Sequence, residues 1–139
     1  MAAAKKSSAD RLPPAGDWRT TDQDEVLRRR LRARQERFRI TNLNEAHRIF
    51  SNFEVLSASG RIYQVELRGL ERGTSTCQCP DFASNRLGTC KHVEAVLLHL
   101  GRREKPAMVE ARSKPYPRFD ILPDGEGGNL RLRWNPTRA

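Results

Sequence analysis

The sequence predicts an α+β fold: an antiparallel sheet of about three short strands, then one strong helix, with an arginine-rich helical region in front. Three observations predict it. Residues 53–68 place β-type apolar residues on either side of a turn at Ala58–Gly60, the pattern of a half-buried hairpin. Val93, Val96, Leu97 and Leu100 recur at helical spacing and make one apolar stripe. Between these two segments lies the pattern C-x-C-x10-C-x-H, formed by Cys77, Cys79, Cys90 and His92.

Taken in order, residues 1–21 predict a disordered tail. They offer no periodic apolar face, and Pro13–Pro14 prevents a helix. Residues 22–51 predict a basic helical region. Thr20, Thr21 and Asp22 are candidate N-caps for a helix from about Asp24 to Arg39, with acids in its first turn and arginines after them. Leu27, Leu31 and Phe38 give it only a thin apolar stripe, so it must dock on something. Leu43, Ala46, His47 and Phe50 follow the i, i+3, i+4, i+7 rule and predict a second helix over about Leu43–Ser51.

Residues 52–103 form the central unit. Phe53–Ser57 and Arg61–Arg68 are the hairpin strands, with Tyr63, Val65 and Leu67 on one face. Gly69–Gly73 turns into a short third strand, Thr74–Cys77. Pro80–Thr89 reads as a loop closed by Gly88. The strong helix opens near Cys90 and stops at Gly101, a suitable C′ residue. Residues 104–139 read as a Pro-rich basic extension in which Ile121 and Leu122 pair with Leu130–Trp134.

Composition narrows the function classes. Hydrophobic residues make up 37% of the 139 and aromatics 6%, whereas average domains are roughly 45–50% apolar. Such a core needs a metal or disulfide to hold it. The net charge of +9 points to a polyanionic partner, nucleic acid being the commonest. The charge lies in the flanks: residues 1–50 carry +5, residues 51–101 zero and residues 102–139 +4. Three cysteines do not make a secreted disulfide framework, and no apolar stretch follows the lysines of Met1–Lys6. No run approaches the ~18 apolar residues of a membrane span. The expectation is a cytoplasmic chain with reduced thiols and no membrane or small-molecule partner.

Two pairs of ligand-type residues, each two apart, suit the tetrahedral thiolate and imidazole coordination of Zn2+. Cys90 at a helix N-terminus is placed where thiolate is favoured. Spacing leaves alternatives open: a tight C-x-C disulfide, buried inert thiols or a redox pair. With four protein ligands the site is closed and structural, and metal-assisted catalysis lacks the open position it needs. His99 lies about 10 Å further along the helix from His92 and reads as an exposed polar residue. His47 reads as a satisfied buried histidine. Asp81 is a candidate to accept loop N–H bonds or orient a ligand, and Phe82 to pack beneath the site. Trp18 and Trp134 read as packing residues.

Cys77-Gln-Cys79-Pro80-Asp81-Phe82, then Gly88-Thr89-Cys90-Lys91-His92 and the aliphatic run Val93–Leu98, closely resembles the SWIM zinc-finger family. That family's pattern is C-x-C-P-x-F, a variable loop, C-K-H and an aliphatic helix. The resemblance spans about residues 53–101. It implies a small ββα-type zinc fold, Zn2+ on Cys77, Cys79, Cys90 and His92, and a role in binding DNA or protein. The arginine-rich segment before it and Arg118-Phe119-Asp120-Ile121-Leu122-Pro123 after it look similar to the N-terminal part of bacterial SNF2 helicase-like proteins. No G-x-x-x-x-G-K-[ST] loop is present, so the chain departs from the motor itself. It reads as a stand-alone relative, a split piece or a truncated product. The expected nucleic-acid contacts are Arg28, Arg29, Arg30, Arg32, Arg34, Arg86 and Lys91. The expected partners are DNA or other nucleic acid and an SNF2-type ATPase; the alternative is a protein adaptor docking through residues 43–51 or the Leu27/Leu31/Phe38 stripe.

Overall fold

A computed structural model describes residues 20–113, 120–123 and 128–133. The expected tail at Met1–Asp17, Trp18 and Trp134 lie outside the described residues. The fold is α+β. A four-stranded antiparallel sheet, ordered β1-β2-β3-β4, is built from β1 (Phe38–Asn42), β2 (Asn52–Ser57), β3 (Ile62–Glu66) and β4 (Thr76–Cys77). Helix α1 (Asp22–Gln35) precedes the sheet, and α2 (Pro80–Asn85), α3 (Lys91–Arg103) and α4 (Lys105–Ser113) follow it. A separate hairpin joins β5 (Asp120–Pro123) to β6 (Leu130–Arg133), pairing Ile121 with Leu132 as the sequence predicts. Among the described residues, no helix is long and apolar enough to cross a membrane.

The core lies between the sheet and α3. Phe53 and Val55 of β2 alternate with less buried residues, and Val65 and Leu67 continue the same face. Val93, Val96 and Leu100 of α3 meet them, and Met108 of α4 closes the end. Ile49 joins from the β1–β2 connection. Cys77, Cys79 and Cys90 belong to this same buried cluster, so metal ligands and hydrophobic core are continuous.

The arginine-rich helix is shorter than expected. Thr21 caps it through a capping box: its Oγ1 accepts from Asp24 N at 3.2 Å, and Asp24 Oδ2 accepts from Thr21 N at 2.9 Å. The chain leaves the helix at Glu36, which is extended. Phe38, expected on the helical stripe, instead begins an edge strand whose burial alternates with period two. The residues α1 buries against α3 are Val26 and Ala33 rather than Leu27 and Leu31.

No helix forms over Leu43–Ser51. Asn42 Nδ2 donates to His47 O at 2.8 Å, Asn44 N donates to Asn42 Oδ1 at 2.9 Å, and Ser51 Oγ donates to the same oxygen at 2.7 Å. These local side-chain bonds offer the backbone an alternative to helix, and the β1–β2 pairing requires the chain to reverse here. Leu43 is accordingly exposed, and His47 is only half-buried, with no helical face to sit on.

Two further helices appear where loops are expected. Pro80 occupies the first turn of α2, where a missing N–H costs nothing, and Pro106 lies likewise in the first turn of α4. Helix α3 also runs through Gly101 to Arg103 rather than stopping there, because Leu100 and Met108 bury on both sides of the junction. Gly101 thus lies within a helix, without positive φ, and a Cβ there meets nothing within 4 Å. Gly101→Ala is expected to stabilise the chain by about 0.5–1 kcal/mol, measured by chemical denaturation of the zinc-loaded protein.

Candidate metal centre

Three elements bring the four predicted ligands together. Strand β4 pairs Cys77 with Val65, and Gln78 N donates to Gln64 O at 3.1 Å as the strand ends. Cys79 is then the N-cap of α2, where its Sγ accepts from Phe82 N at 3.3 Å. Cys90 is the N-cap of α3, where its Sγ accepts from Val93 N at 3.5 Å. Two sulfurs therefore sit where helical N–H groups favour thiolate. His92 lies in the first turn of α3.

The α2–α3 connection returns the second pair onto the first through Gly88. Its φ is 70°, and a Cβ would lie 2.6 Å from Gly73 Cα, so only glycine lets the two turns touch. Gly73 N donates to Gly88 O at 3.1 Å across that contact.

The ligand atoms of Cys77, Cys79, Cys90 and His92 all lie within 4.8 Å of one another, and all four residues are buried. His92 Nδ1 is 3.9 Å from Cys77 Sγ and 3.8 Å from Cys90 Sγ. A zinc tetrahedron with its usual bond lengths places such atoms about 3.5–3.8 Å apart. The donor set, its burial and its spacing fit Zn2+. Nδ1 is the ring nitrogen facing the sulfurs. Nε2 is buried without a hydrogen-bond partner, and the ring is walled by Phe38 at 5.6 Å, edge-on, and Tyr63 at 4.9 Å. These aromatics cover the imidazole. Four protein ligands close the coordination shell, as in structural sites.

Without a cation the three sulfurs compete for one negative charge. Hydrogen bonds from Cys77 and Cys90, and then from the Phe82 N–H, hold Cys79 well below the ordinary thiol range. The Cys77 thiol, which donates to Cys79, is pushed up to about 12, with burial adding to the effect. Cys90 is likewise pushed up by its bonds to Cys77 and Cys79 and by burial. A divalent cation removes this conflict by taking all three as thiolates.

The residues around the ligands tie α1 to the metal loops. Arg29 makes a two-pronged pair with Asp81, Nη2 to Oδ1 at 2.8 Å and Nε to Oδ2 at 3.0 Å, and also reaches Glu25 at 2.8 Å. Asp81 thus receives a helix α1 arginine rather than a ligand or a loop N–H. Glu94, largely buried, accepts from Thr89 Oγ1 at 2.9 Å and from Arg30 Nε at 3.2 Å. Lys91, between two ligands, pairs with Glu36 at 2.7 Å, and its ammonium lies 5.8 Å from the Phe38 ring centre. Burial raises the Glu36 carboxyl, but hydrogen bonds from Lys91 and Arg32 outweigh it and hold the group below its usual range. Phe82 packs against the core, as expected.

Most of the arginines expected to contact nucleic acid therefore have acidic partners. Arg28 lies 3.5 Å from Glu25, Arg32 is 2.8 Å from Glu36, and Arg29 and Arg30 are engaged as above. Arg34 and Arg86 are exposed, Arg86 as the left-handed cap of α2. The structure adds cations that the sequence did not single out as a group. Arg34 at the end of α1 and Arg37 just beyond it meet Arg102 and Arg103 from the last turn of α3 around a cavity of about 450 Å3, with His99 in its wall. Burial, and then the charge of Arg103, lower the pKa of His99. A doubled arginine in a helix's last turn was visible in the sequence; its meeting with Arg34 was not.

The profile of the SWIM zinc finger family matches residues 66–101, about a quarter of the chain. That family is a non-catalytic zinc-binding module. No curated protein and no solved structure matches the chain.

Zinc loading should displace protons from Cys77 and Cys90, so apparent affinity is expected to fall about 100-fold for each pH unit below neutrality. Chelator competition across the neutral range measures this; a pH-independent affinity contradicts it. Cys90→Ser is expected to lose stoichiometric zinc and most of the cooperative unfolding transition, read by metal analysis and calorimetry. A double-mutant cycle of Arg29→Ala and Asp81→Ala should give a coupling of about 1 kcal/mol, since the pair is bidentate but Asp81 is partly open to solvent.

Proposed function

We propose that the chain is a non-catalytic, zinc-stabilised module that grips nucleic acid through its phosphates and serves a separate SNF2-type ATPase in the cytoplasm. The observation that carries this reading is the basin formed by Arg34, Arg37, Arg102 and Arg103. The one carboxylate among its described lining residues, Glu36, is already held by Lys91 and Arg32. Among the described residues these four guanidinium groups have no ion-pair partner, and on one concave surface they suit phosphate oxygens, which they meet two at a time.

The basin shifts the expected contacts. Of the arginines of α1, Arg34 belongs to it, and Arg37 just beyond the helix joins it. Arg29, Arg30 and Arg32 act within the fold, holding α1 against the metal loops. The closed four-ligand cluster supports a binding role rather than catalysis. The ATPase partner is supported by the resemblance of the flanking segments, and it would supply the phosphate-binding loop absent from this sequence. The docking surfaces considered for an adaptor do not favour that reading: residues 43–51 are not helical, and Phe38 lies on the sheet against His92.

Contact with about four phosphates predicts that duplex binding weakens roughly 100-fold between 50 and 200 mM salt. The triple variant Arg34→Glu/Arg37→Glu/Arg103→Glu should lose at least tenfold in affinity and flatten the salt slope, while Arg61→Glu in the β2–β3 turn should change little. Fluorescence anisotropy with labelled duplex measures both. Salt-insensitive binding, or equal loss in the Arg61 variant, would sink the proposal.

A further inference from the structure

Gly101 is unexplained by the fold. It weakens a helix interior relative to alanine, yet its φ is not positive and a Cβ there would meet nothing within 4 Å. Neither backbone conformation nor internal crowding asks for glycine. The remaining use of a glycine is to let something outside approach the backbone closely.

The open space over Gly101 is a groove of about 440 Å3 between the end of α3 and α4. Its floor is apolar, made by Leu70, Leu97, Leu98 and Met108, and Arg102 and Arg112 stand at its rim. Among the described residues no acidic side chain lines it. Among the described residues neither arginine has an ion-pair partner.

We propose that this groove docks an acidic amphipathic peptide segment of a partner protein, whose backbone crosses close to Gly101. Its apolar side chains rest on Leu97, Leu98 and Met108, and its carboxylates meet Arg102 and Arg112. Charge decides between occupants. A second copy of this chain carries +9, and residues 114–139 carry five Lys/Arg against three Asp/Glu, so both bring like charge to the rim. A phosphate backbone has no apolar face for the leucine floor, and the neighbouring four-arginine basin suits it better. An acidic amphipathic segment satisfies floor and rim together. The site is separate from the proposed nucleic-acid surface apart from Leu98 and Arg102, which border both.

The test selects a phage-displayed random peptide library on the full zinc-loaded chain, with counter-selection on Gly101→Glu. Gly101→Glu places a like-charged side chain in open space, so the fold should persist, checked by zinc stoichiometry and circular dichroism. Enriched peptides should combine Asp/Glu with Leu-type residues. Made synthetically, they should lose at least tenfold in affinity against both Gly101→Glu and Arg112→Glu, and amide shifts should map to residues 97–112. Three results would overturn the proposal: enriched peptides that are neutral or basic, peptides that bind Gly101→Glu as well as the parent, or duplex binding that both groove variants abolish. Self-association abolished by Gly101→Glu would overturn it too, since the occupant would then be a second copy. The Arg34/Arg37/Arg103 variant leaves the groove intact, so failure of the nucleic-acid reading is separately visible.

Discussion

Three sulfurs and an imidazole buried within 4.8 Å of one another are the constraint on which the molecule depends. Burial opposes three thiolates, and each thiolate opposes the next, so the cluster is stable only when a cation neutralises it. The consequence is architectural. The ligands come from β4, from the cap of α2 and from the cap and first turn of α3. One cation fixes the end of the sheet against the helix that covers it. With so lean an apolar composition, that coordination replaces burial the chain does not possess. Gly88 and Gly73 serve the same end, allowing two turns to approach closely enough to bring Cys90 to Cys77.

The metal loops in turn decide what the arginines do. A helix as basic as α1 would be unstable alone. Here Asp81, Glu94 and Lys91, all from the loops and helices around the cluster, meet Arg29, Arg30 and Glu36. The two-pronged Arg29–Asp81 contact orients α1 more firmly than a single exposed pair would. This leaves the positive charge divided. Guanidinium groups in the middle of α1 are neutralised within the fold. Those at its end, with the last turn of α3, remain open toward solvent and form a coherent electropositive surface. A count of arginines by position in the sequence cannot make that division.

Elsewhere local chemistry and pairing overrode periodicity. Residues 43–51 carry a helical apolar pattern, but the Asn42 and Ser51 side chains bind the backbone themselves, and antiparallel β1 and β2 need a reversal between them. Phe38–Asn42 alternates as a strand should, yet it follows a run of strong helix formers that masks it. In α2 and α4 a proline stands in the first turn, where it is a start signal for a helix. Met108 anchors α4 to the core, adding burial to a segment already rich in helix formers such as Ala107, Met108, Glu110 and Ala111.

The sequence by itself determined the ligand set, the hairpin around Ala58–Gly60, the aliphatic helix and the β5–β6 pairing. Each is a local pattern: ligand spacing of two residues, period two or period 3.6, all expressed within a few turns of chain. Tertiary structure alone decided the fourth strand, because an edge strand is stabilised by the neighbour that pairs with it. It alone decided that Arg29 belongs to Asp81 while Arg34 joins Arg102 and Arg103, since those partners lie more than fifty residues apart. It also decided that Gly101 lies in the last turn of α3 beside a groove rather than just past the helix end. Burial of Leu100 and Met108 carries the helix past it, and such burial is a property of packing, not of the residues on either side.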